Sequence, residues 1–135
     1  MGDIRILEMR ALRGPNFYTR RPVIYMKLDI GPYEQKPTDK IPGFLDRLRE
    51  RLPSLYDHRC SEAGPGGFFN RVEEGTWFGH VIEHVALDLQ TLAGMDTGFG
   101  RTRSFPDKPG VYNIVYSYVW EQPGKKAGQV AVELT

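Results

Sequence analysis

The stretch at residues 75–93, GTWFGHVIEHVALDLQTLA, constrains the fold more than any other part of the chain. At about 100° per residue, its apolar side chains recur on one side of a helix. They are Phe78, Ile82, Val85, Ala86, Leu89, Leu92 and Ala93. The opposite side carries His80, Glu83, His84 and Leu87. This periodicity predicts a central amphipathic helix whose apolar side packs against the rest of the domain.

The polar side of this helix contains a metal-binding pattern. His80 and His84 are four residues apart, so on a helix their imidazoles are neighbours at about 6 Å and could hold one metal ion. Glu83 lies beside them and could act as general base for a metal-bound water. This H-x-x-E-H order is that of the inverted zinc peptidases. Two surface histidines on an amphipathic helix are the alternative, because so short a pattern recurs by chance.

A catalytic zinc site needs a third protein ligand. Asp88 follows His80 by eight residues, which is about 12 Å along a helix and too far to share an ion with it. Asp88 could instead hydrogen-bond His84 and fix its tautomer. The candidate third ligand is Glu121, which follows the strand predicted at residues 111–120. A strand-end glutamate without a metal is the rival interpretation.

Three segments have the side-chain alternation of strands: residues 4–12, 22–30 and 111–120. In the second, one side is apolar, with Ile24, Met26, Leu28 and Ile30, and the other carries Tyr25, Lys27 and Asp29. The third has large apolar or aromatic residues on both sides, which predicts that both faces are covered.

Two further helices are predicted. The first covers residues 43–52, with an apolar side made by Phe44, Leu45, Leu48 and Leu52. The second begins after Pro123-Gly124 and has no stop signal, so we expect the polypeptide to continue beyond it. Residues 58–75 and 94–110 are rich in glycine or proline and are predicted to be irregular. The fold class is therefore predicted as α+β in two layers, with a small sheet packed against the central helix and the helix at residues 43–52.

The overall composition narrows the range of functions. A chain of 135 residues is expected to form a single domain. It has 18 basic and 17 acidic residues, a net charge of +1 that gives no reason to expect nucleic acid or a membrane surface as a partner. Cys60 is the only cysteine and no apolar run could span a membrane, which favours a cytoplasmic protein without disulfides.

The basic residues are unevenly distributed. Arginines crowd the segment that holds Arg10, Arg13, Arg20 and Arg21, and a second pair is formed by Arg101 and Arg103. Such groups can bind carboxylates through paired hydrogen bonds. An ordinary exposed surface of mixed charge explains them equally well.

Four blocks of the chain are distinctive in combination: LRGPNFYTRR, PGGFFNRVEEGTWFGHVIEHVALDLQTLAGM, GFGRTR and PGVYNIVYSY. Together they resemble the N-terminal domain of cyanophycin synthetases, from about residue 4 to the C-terminus. Those enzymes also carry an ATP-grasp module and a Mur-ligase-like module, which alternately add aspartate and arginine to a poly-aspartate chain. Neither module is expected within these 135 residues. The resemblance implies a domain that holds the growing arginyl-poly-aspartate chain, cyanophycin, for ATP-dependent elongation by the ligase modules.

The resemblance also assigns candidate residues. Polymer carboxylates would bind Arg13, Arg20, Arg21, Arg101 and Arg103, and polymer guanidinium groups would bind Asp46, Glu50, Glu73 and Glu74. Some members of the family resemble a metallopeptidase that cuts the polymer into primers. In that alternative, zinc would be held by His80, His84 and Glu121, with Glu83 as the catalytic base. ATP would be needed only by the absent modules, and a homo-oligomer is a further possibility.

Overall fold

The computed structural model describes residues 4–13, 22–31, 33, 37–57, 67–95, 100–104, 108 and 110–134. In chain order these form β1 (Arg5–Leu12), β2 (Val23–Asp29), α1 (Phe44–Arg51), α2 (Gly67–Glu74), α3 (Phe78–Leu92), β3 (Gly100–Ser104), β4 (Val111–Ser117) and α4 (Glu121–Leu134). Short 3-10 turns at Thr38–Lys40 and Pro53–Asp57 flank α1. Among the residues described, no helix is both long and apolar enough to span a membrane.

The four strands make one antiparallel sheet in the order β1-β2-β4-β3. Helix α3 packs against β3 and β4, and α4 packs against β1 and β2. The predicted apolar side of β2 lies under these helices, and its Ile24, Met26 and Leu28 have no exposed surface. The expected α+β architecture is therefore confirmed, but the second helix on the sheet is α4 and not the helix predicted at residues 43–52, which is α1 and mainly contacts α2 and the two 3-10 turns. We call the side of the sheet under α3 and α4 the helix face, and the opposite side the outer face.

The outer face is partly exposed. On β2 it carries Tyr25, Lys27 and Asp29, all half-buried. Towards the other end of the sheet it is covered, because Val115 and Ser117 of β4 are only 1% and 6% exposed. The expectation that β4 is covered on both faces is therefore correct at this end of the strand.

Helix α3 is buried on nearly all sides, which corrects the amphipathic interpretation. Glu83, His84 and Leu87 were expected opposite the packing side, yet all three are buried. The 3-10 turn at Pro53–Asp57 contacts α3, and Phe68 of α2 stacks on His84 of α3. The prediction also fails at the last turn, where Leu92 is 59% exposed and Ala93 is exposed as well. The periodicity of apolar residues predicted the helix, but it did not show that other elements cover its polar side as well.

Two segments predicted to be irregular contain regular structure. Within residues 58–75 lies α2, which begins at Gly67 and buries Phe68, Phe69 and Val72. Within residues 94–110 lies β3, which pairs with β4. In both cases nearby glycines and prolines obscured a short element whose stability comes from tertiary contacts rather than from local propensity.

The start of α4 differs from the prediction by a few residues. Strand β4 ends at Ser117, and α4 begins at Glu121 rather than after Gly124. Pro123 is tolerated because it is the third residue of the helix, where the backbone N–H has no intrahelical partner. The Gly124 N–H donates to the Trp120 carbonyl at 2.9 Å.

Candidate functional site

The predicted His-Glu-His pattern forms a compact cluster near the beginning of α3. The Nε2 atoms of His80 and His84 are 3.0 Å apart. The Glu83 Oε2 atom is 3.9 Å from His84 Nε2. One ligand atom from each of the three residues lies within 4.8 Å of the others, and no other His, Cys, Asp or Glu among the described residues joins this group. The helical spacing therefore brings the three side chains together as predicted.

Two threonines contact the cluster. Thr76 Oγ1 is 3.0 Å from His80 Nδ1, and Thr102 Oγ1 donates to Glu83 Oε1 at 2.6 Å. Thr76 is itself fixed, because its N–H donates to Thr38 Oγ1 at 2.9 Å. Sequence reasoning missed both contacts. The spacing of four residues from Thr76 to His80 was a usable signal, whereas Thr102 reaches the site only through the pairing of β3 with β4.

An aromatic ring from α2 covers the histidines. Phe68 stacks on the His84 ring with centroids 4.2 Å apart and 25° between the planes. It meets the His80 ring edge-on at 5.9 Å. Because Glu83 and His84 are only 6% and 7% exposed while His80 is half-buried, solvent reaches the cluster mainly beside His80. Phe68 was not predicted as part of the site, since its segment was expected to be irregular.

Burial keeps one histidine of the cluster neutral. It lowers the pKa of His80 from 6.5 to about 4, and the positive charge of Arg71 on α2 acts in the same direction. His80 is therefore neutral at pH 7. A neutral imidazole is the form that binds a metal ion, and it can also take part in an imidazole–imidazole hydrogen bond.

The two histidines fit a metal ion in part. Two nitrogen ligands on a tetrahedral zinc would be about 3.3 Å apart, close to the 3.0 Å between the Nε2 atoms. An N–H···N hydrogen bond gives a similar distance. The contact of Thr76 with Nδ1 leaves Nε2 of His80 directed at His84. The described residues supply two nitrogen ligands and the Glu83 carboxylate, but no further ligand.

The structure does not bring Glu121 into this group. Glu121 is the first residue of α4, where Arg13 Nε donates to its Oε1 at 2.7 Å and Lys125 Nζ lies 3.4 Å from its Oε2. The hydrogen bond from Arg13 lowers the pKa of Glu121. Its position therefore supports an ion pair between the end of β1 and the start of α4. Asp88 accepts a hydrogen bond from Ser54 Oγ at 2.6 Å, and its role in fixing the His84 tautomer stays a prediction.

The residues predicted to bind polymer lie on different surfaces. Arg101 and Arg103 are exposed on β3, where they alternate with Thr102 and so extend from the outer face. Arg13 is ion-paired with Glu121, and Arg20 and Arg21 lie outside the described residues. The four acidic candidates are exposed on the helices α1 and α2: Asp46, Glu50, Glu73 and Glu74. The basic and acidic candidates of β3 and the helices therefore do not form a single mixed surface.

The outer face has a basic character that the composition hides. Directly paired residues of antiparallel strands share a face, and among the described strand residues of the outer face the basic side chains outnumber the acidic ones. The basic ones are Arg5, Arg10, Lys27, Arg101 and Arg103, and the acidic ones are Glu8 and Asp29. The Arg10 guanidinium also lies 5.2 Å from the centroid of the Tyr25 ring. An anionic partner is therefore favoured on this side of the sheet.

Comparison with known proteins decides the family. The model of the cyanophycin synthase-like N-terminal domain matches residues 23–135. The chain belongs to this family. It is 50% identical to cyanophycin synthetase of Geminocystis herdmanii, 51% to that of Crocosphaera subtropica and 50% to that of Synechocystis sp.. Each match covers 97% of this chain and 15% of the relative.

Membership of the cyanophycin synthase-like N-terminal domain family confirms the resemblance found in the sequence. The chain spans about 15% of the length of the curated relatives that it matches. Linkage to other modules of one polypeptide fits those longer proteins. The match to the family model includes the whole of α3 and β3, so both the histidine cluster and the Arg101–Arg103 pair lie within it.

Proposed function

We propose that this domain binds a charged poly-amino-acid of the cyanophycin type and supports its ATP-dependent elongation by ligase modules of a longer polypeptide. The basic outer face is the observation that carries this proposal. Arg101 and Arg103 lie exposed on one strand, on a face where basic groups outnumber acidic ones. The identity of the polymer is inferred from family membership, since the relatives are cyanophycin synthetases.

In this role the domain needs no chemistry of its own. A binding site that is tethered to an active site raises the local concentration of a chain end there. Many weak ionic contacts along a polymer suit this purpose, because each exposed pair contributes little and the chain can shift from one contact to the next. Strand β3 lies at the edge of the sheet that the described residues form, and this position is compatible with a long ligand.

The test is the affinity for purified cyanophycin oligomers, measured by calorimetry. Replacing Arg101 and Arg103 together by Glu should weaken binding about tenfold, because two ionic contacts become repulsive. The loss should be larger at low salt than at high salt. A matched control reverses Arg51 and Lys126, which are exposed on α1 and α4 and change the net charge equally. Equal effects of the two double variants would contradict a specific role for β3.

A second candidate function is metal-dependent hydrolysis of the same polymer into primers. It is favoured by the cluster of His80, Glu83 and His84, whose ligand atoms lie within 4.8 Å of one another. His80 and His84 would hold the ion, zinc being the best match to such ligands, but the described residues do not supply the third protein ligand that such a site needs when Glu83 acts as the base. A bound zinc would supply an activated water and polarise a carbonyl. Glu83 would accept the proton from that water, and the hydrogen bond that it accepts from Thr102 would hold its carboxylate in place.

Two measurements test this candidate. Elemental analysis of the purified domain should give near-stoichiometric zinc that disappears when His80 and His84 are replaced by Ala. Glu83→Gln should abolish cutting while binding of the polymer is retained, and Glu133→Gln on the surface of α4 should change neither. A protein that binds no metal even after reconstitution would reject the hydrolase and leave polymer binding as the function.

A further inference from the structure

We propose that an extended peptide chain whose side chains bear carboxylates adds to the edge of β3 opposite β4 as a further strand of the sheet. This inference rests on the proposed polymer-binding function and states how the polymer is held. Strand β3 is last in the order β1-β2-β4-β3, and within the described part of the chain its only strand partner is β4. Alternate N–H and C=O groups of such a strand point away from the sheet and can pair with a peptide backbone.

The charges on β3 match an acidic chain in this position. Arg101 and Arg103 are both exposed and lie on one face, two residues apart. Side chains on one face of a strand repeat about every 6.8 Å, so an added strand would present successive same-face side chains at the spacing of the two arginines. A chain of carboxylate-bearing residues in extended conformation would therefore meet both guanidinium groups without changing register. Backbone hydrogen bonds would provide the attachment, and the arginines would select for side chains that bear a carboxylate.

The inward contacts of β3 keep this edge in position. Thr102 faces the helix layer and donates to Glu83 at 2.6 Å. A Cβ atom on Gly100 would lie 2.7 Å from the Glu83 carboxylate, so the backbone of β3 is in close contact with α3. Because α3 already holds β3 in place, the strand loses little conformational freedom when a peptide pairs with it, and this favours binding.

The opposite edge of the sheet is less suited to the same ligand. Strand β1 has a register shift between Ile6 and Glu8, and such a bulge interrupts the row of free backbone groups. On β1, Arg5 lies 2.9 Å from Asp29, and Arg10 lies 2.6 Å from Glu8. The structure thus distinguishes its two edges, and the proposal concerns β3 alone.

The experiment uses two synthetic probes and the unmodified protein. The first is an L-aspartate oligomer long enough to pair with all five residues of β3. The second has the same length and charge but carries an N-methyl group on every backbone nitrogen, so that neither of its edges can donate hydrogen bonds to β3. We expect the methylated oligomer to bind about tenfold more weakly, because it lacks at least two backbone hydrogen bonds. Amide hydrogen exchange should slow at alternate residues of β3 with the first oligomer, and β1 should not change.

The outcomes separate this inference from the function on which it rests. Equal affinities for the two oligomers, or protection at β1 instead of β3, would overturn strand addition while leaving polymer binding intact. Failure of both the oligomers and cyanophycin to bind would overturn the proposed function as well. Protection of β3 amides together with weak binding of the methylated probe supports the inference.

Discussion

The neutral His80 should make the domain sensitive to acid. Burial holds the pKa of His80 at about 4 in the folded protein, against 6.5 for an ordinary histidine. The unfolded chain therefore binds a proton first as the pH falls, and folding is opposed between these two values. Each pH unit of difference corresponds to 1.36 kcal/mol, so the full difference is about 3 kcal/mol. The stability from this group is complete above pH 6.5 and is lost as the pH falls towards 4.

The perturbation that isolates this effect is His80→Gln. Glutamine stays neutral across the whole range and can still hydrogen-bond Thr76. Urea unfolding should be followed by circular dichroism at a series of pH values in the presence of EDTA, so that no metal competes with protons. Between about pH 7 and about pH 4, the unmodified domain should lose about 3 kcal/mol more of its free energy of unfolding than the variant does.

The packing of α2 against His80 offers an independent check on the pKa of this histidine. Phe68 lies edge-on to the His80 ring and contributes to its burial. In Phe68→Ala, the pKa of His80 read from its imidazole NMR signals should rise towards 6.5, since water then reaches the ring. If the free energy of unfolding falls equally with pH in the unmodified and His80→Gln proteins, burial does not hold His80 neutral. An NMR pKa near 6.5 for His80 in the unmodified domain would also refute this.

Three further substitutions test the packing of the sheet against the helices. Gly100→Ala should destabilise the domain by about 1–3 kcal/mol, because the new Cβ would lie 2.8 Å from Glu83 Cγ; an unchanged melting temperature would contradict this. Thr102→Val should cost about 1–3 kcal/mol by leaving the Glu83 carboxylate without this donor, whereas Thr102→Ser should restore most of it in the same urea titration. Gly128→Ala should weaken the attachment of α4, because its Cβ would overlap the Tyr116 hydroxyl. Loss of the near-ultraviolet tyrosine signal before global unfolding would reveal this, and a single unaltered transition would argue against it.

The elements predicted best are those whose pattern is long and strictly periodic. Strand β2 was expected at residues 22–30 and covers Val23–Asp29, and α1 was expected at residues 43–52 and covers Phe44–Arg51. In these segments the local spacing of apolar residues coincides with the face that is buried in the fold. The local sequence is therefore sufficient to predict these two elements.

The elements missed were those defined by their neighbours. The inward positions of β3 include Gly100 and Thr102 and hold no large apolar residue, so its sequence carries no apolar alternation, and its pairing with β4 makes it a strand. The candidate site shows the same division. The group of His80, Glu83 and His84 follows from helical spacing alone, but its cover by Phe68 and its bond from Thr102 arise from distant segments. Glu121 was chosen because it follows a strand, and the turn into α4 instead carries it to Arg13.

Strand β3 connects the two candidate functions of the domain. Its inward residues, Gly100 and Thr102, contact Glu83 of the histidine cluster, and its outward residues, Arg101 and Arg103, belong to the basic outer face. Because side chains alternate along a strand, each set can be changed without removing the other. A change at the arginines that alters polymer affinity but not stability therefore reports on binding alone. A change at Gly100 shifts the backbone itself, so an effect on both stability and polymer affinity is what a shared strand requires.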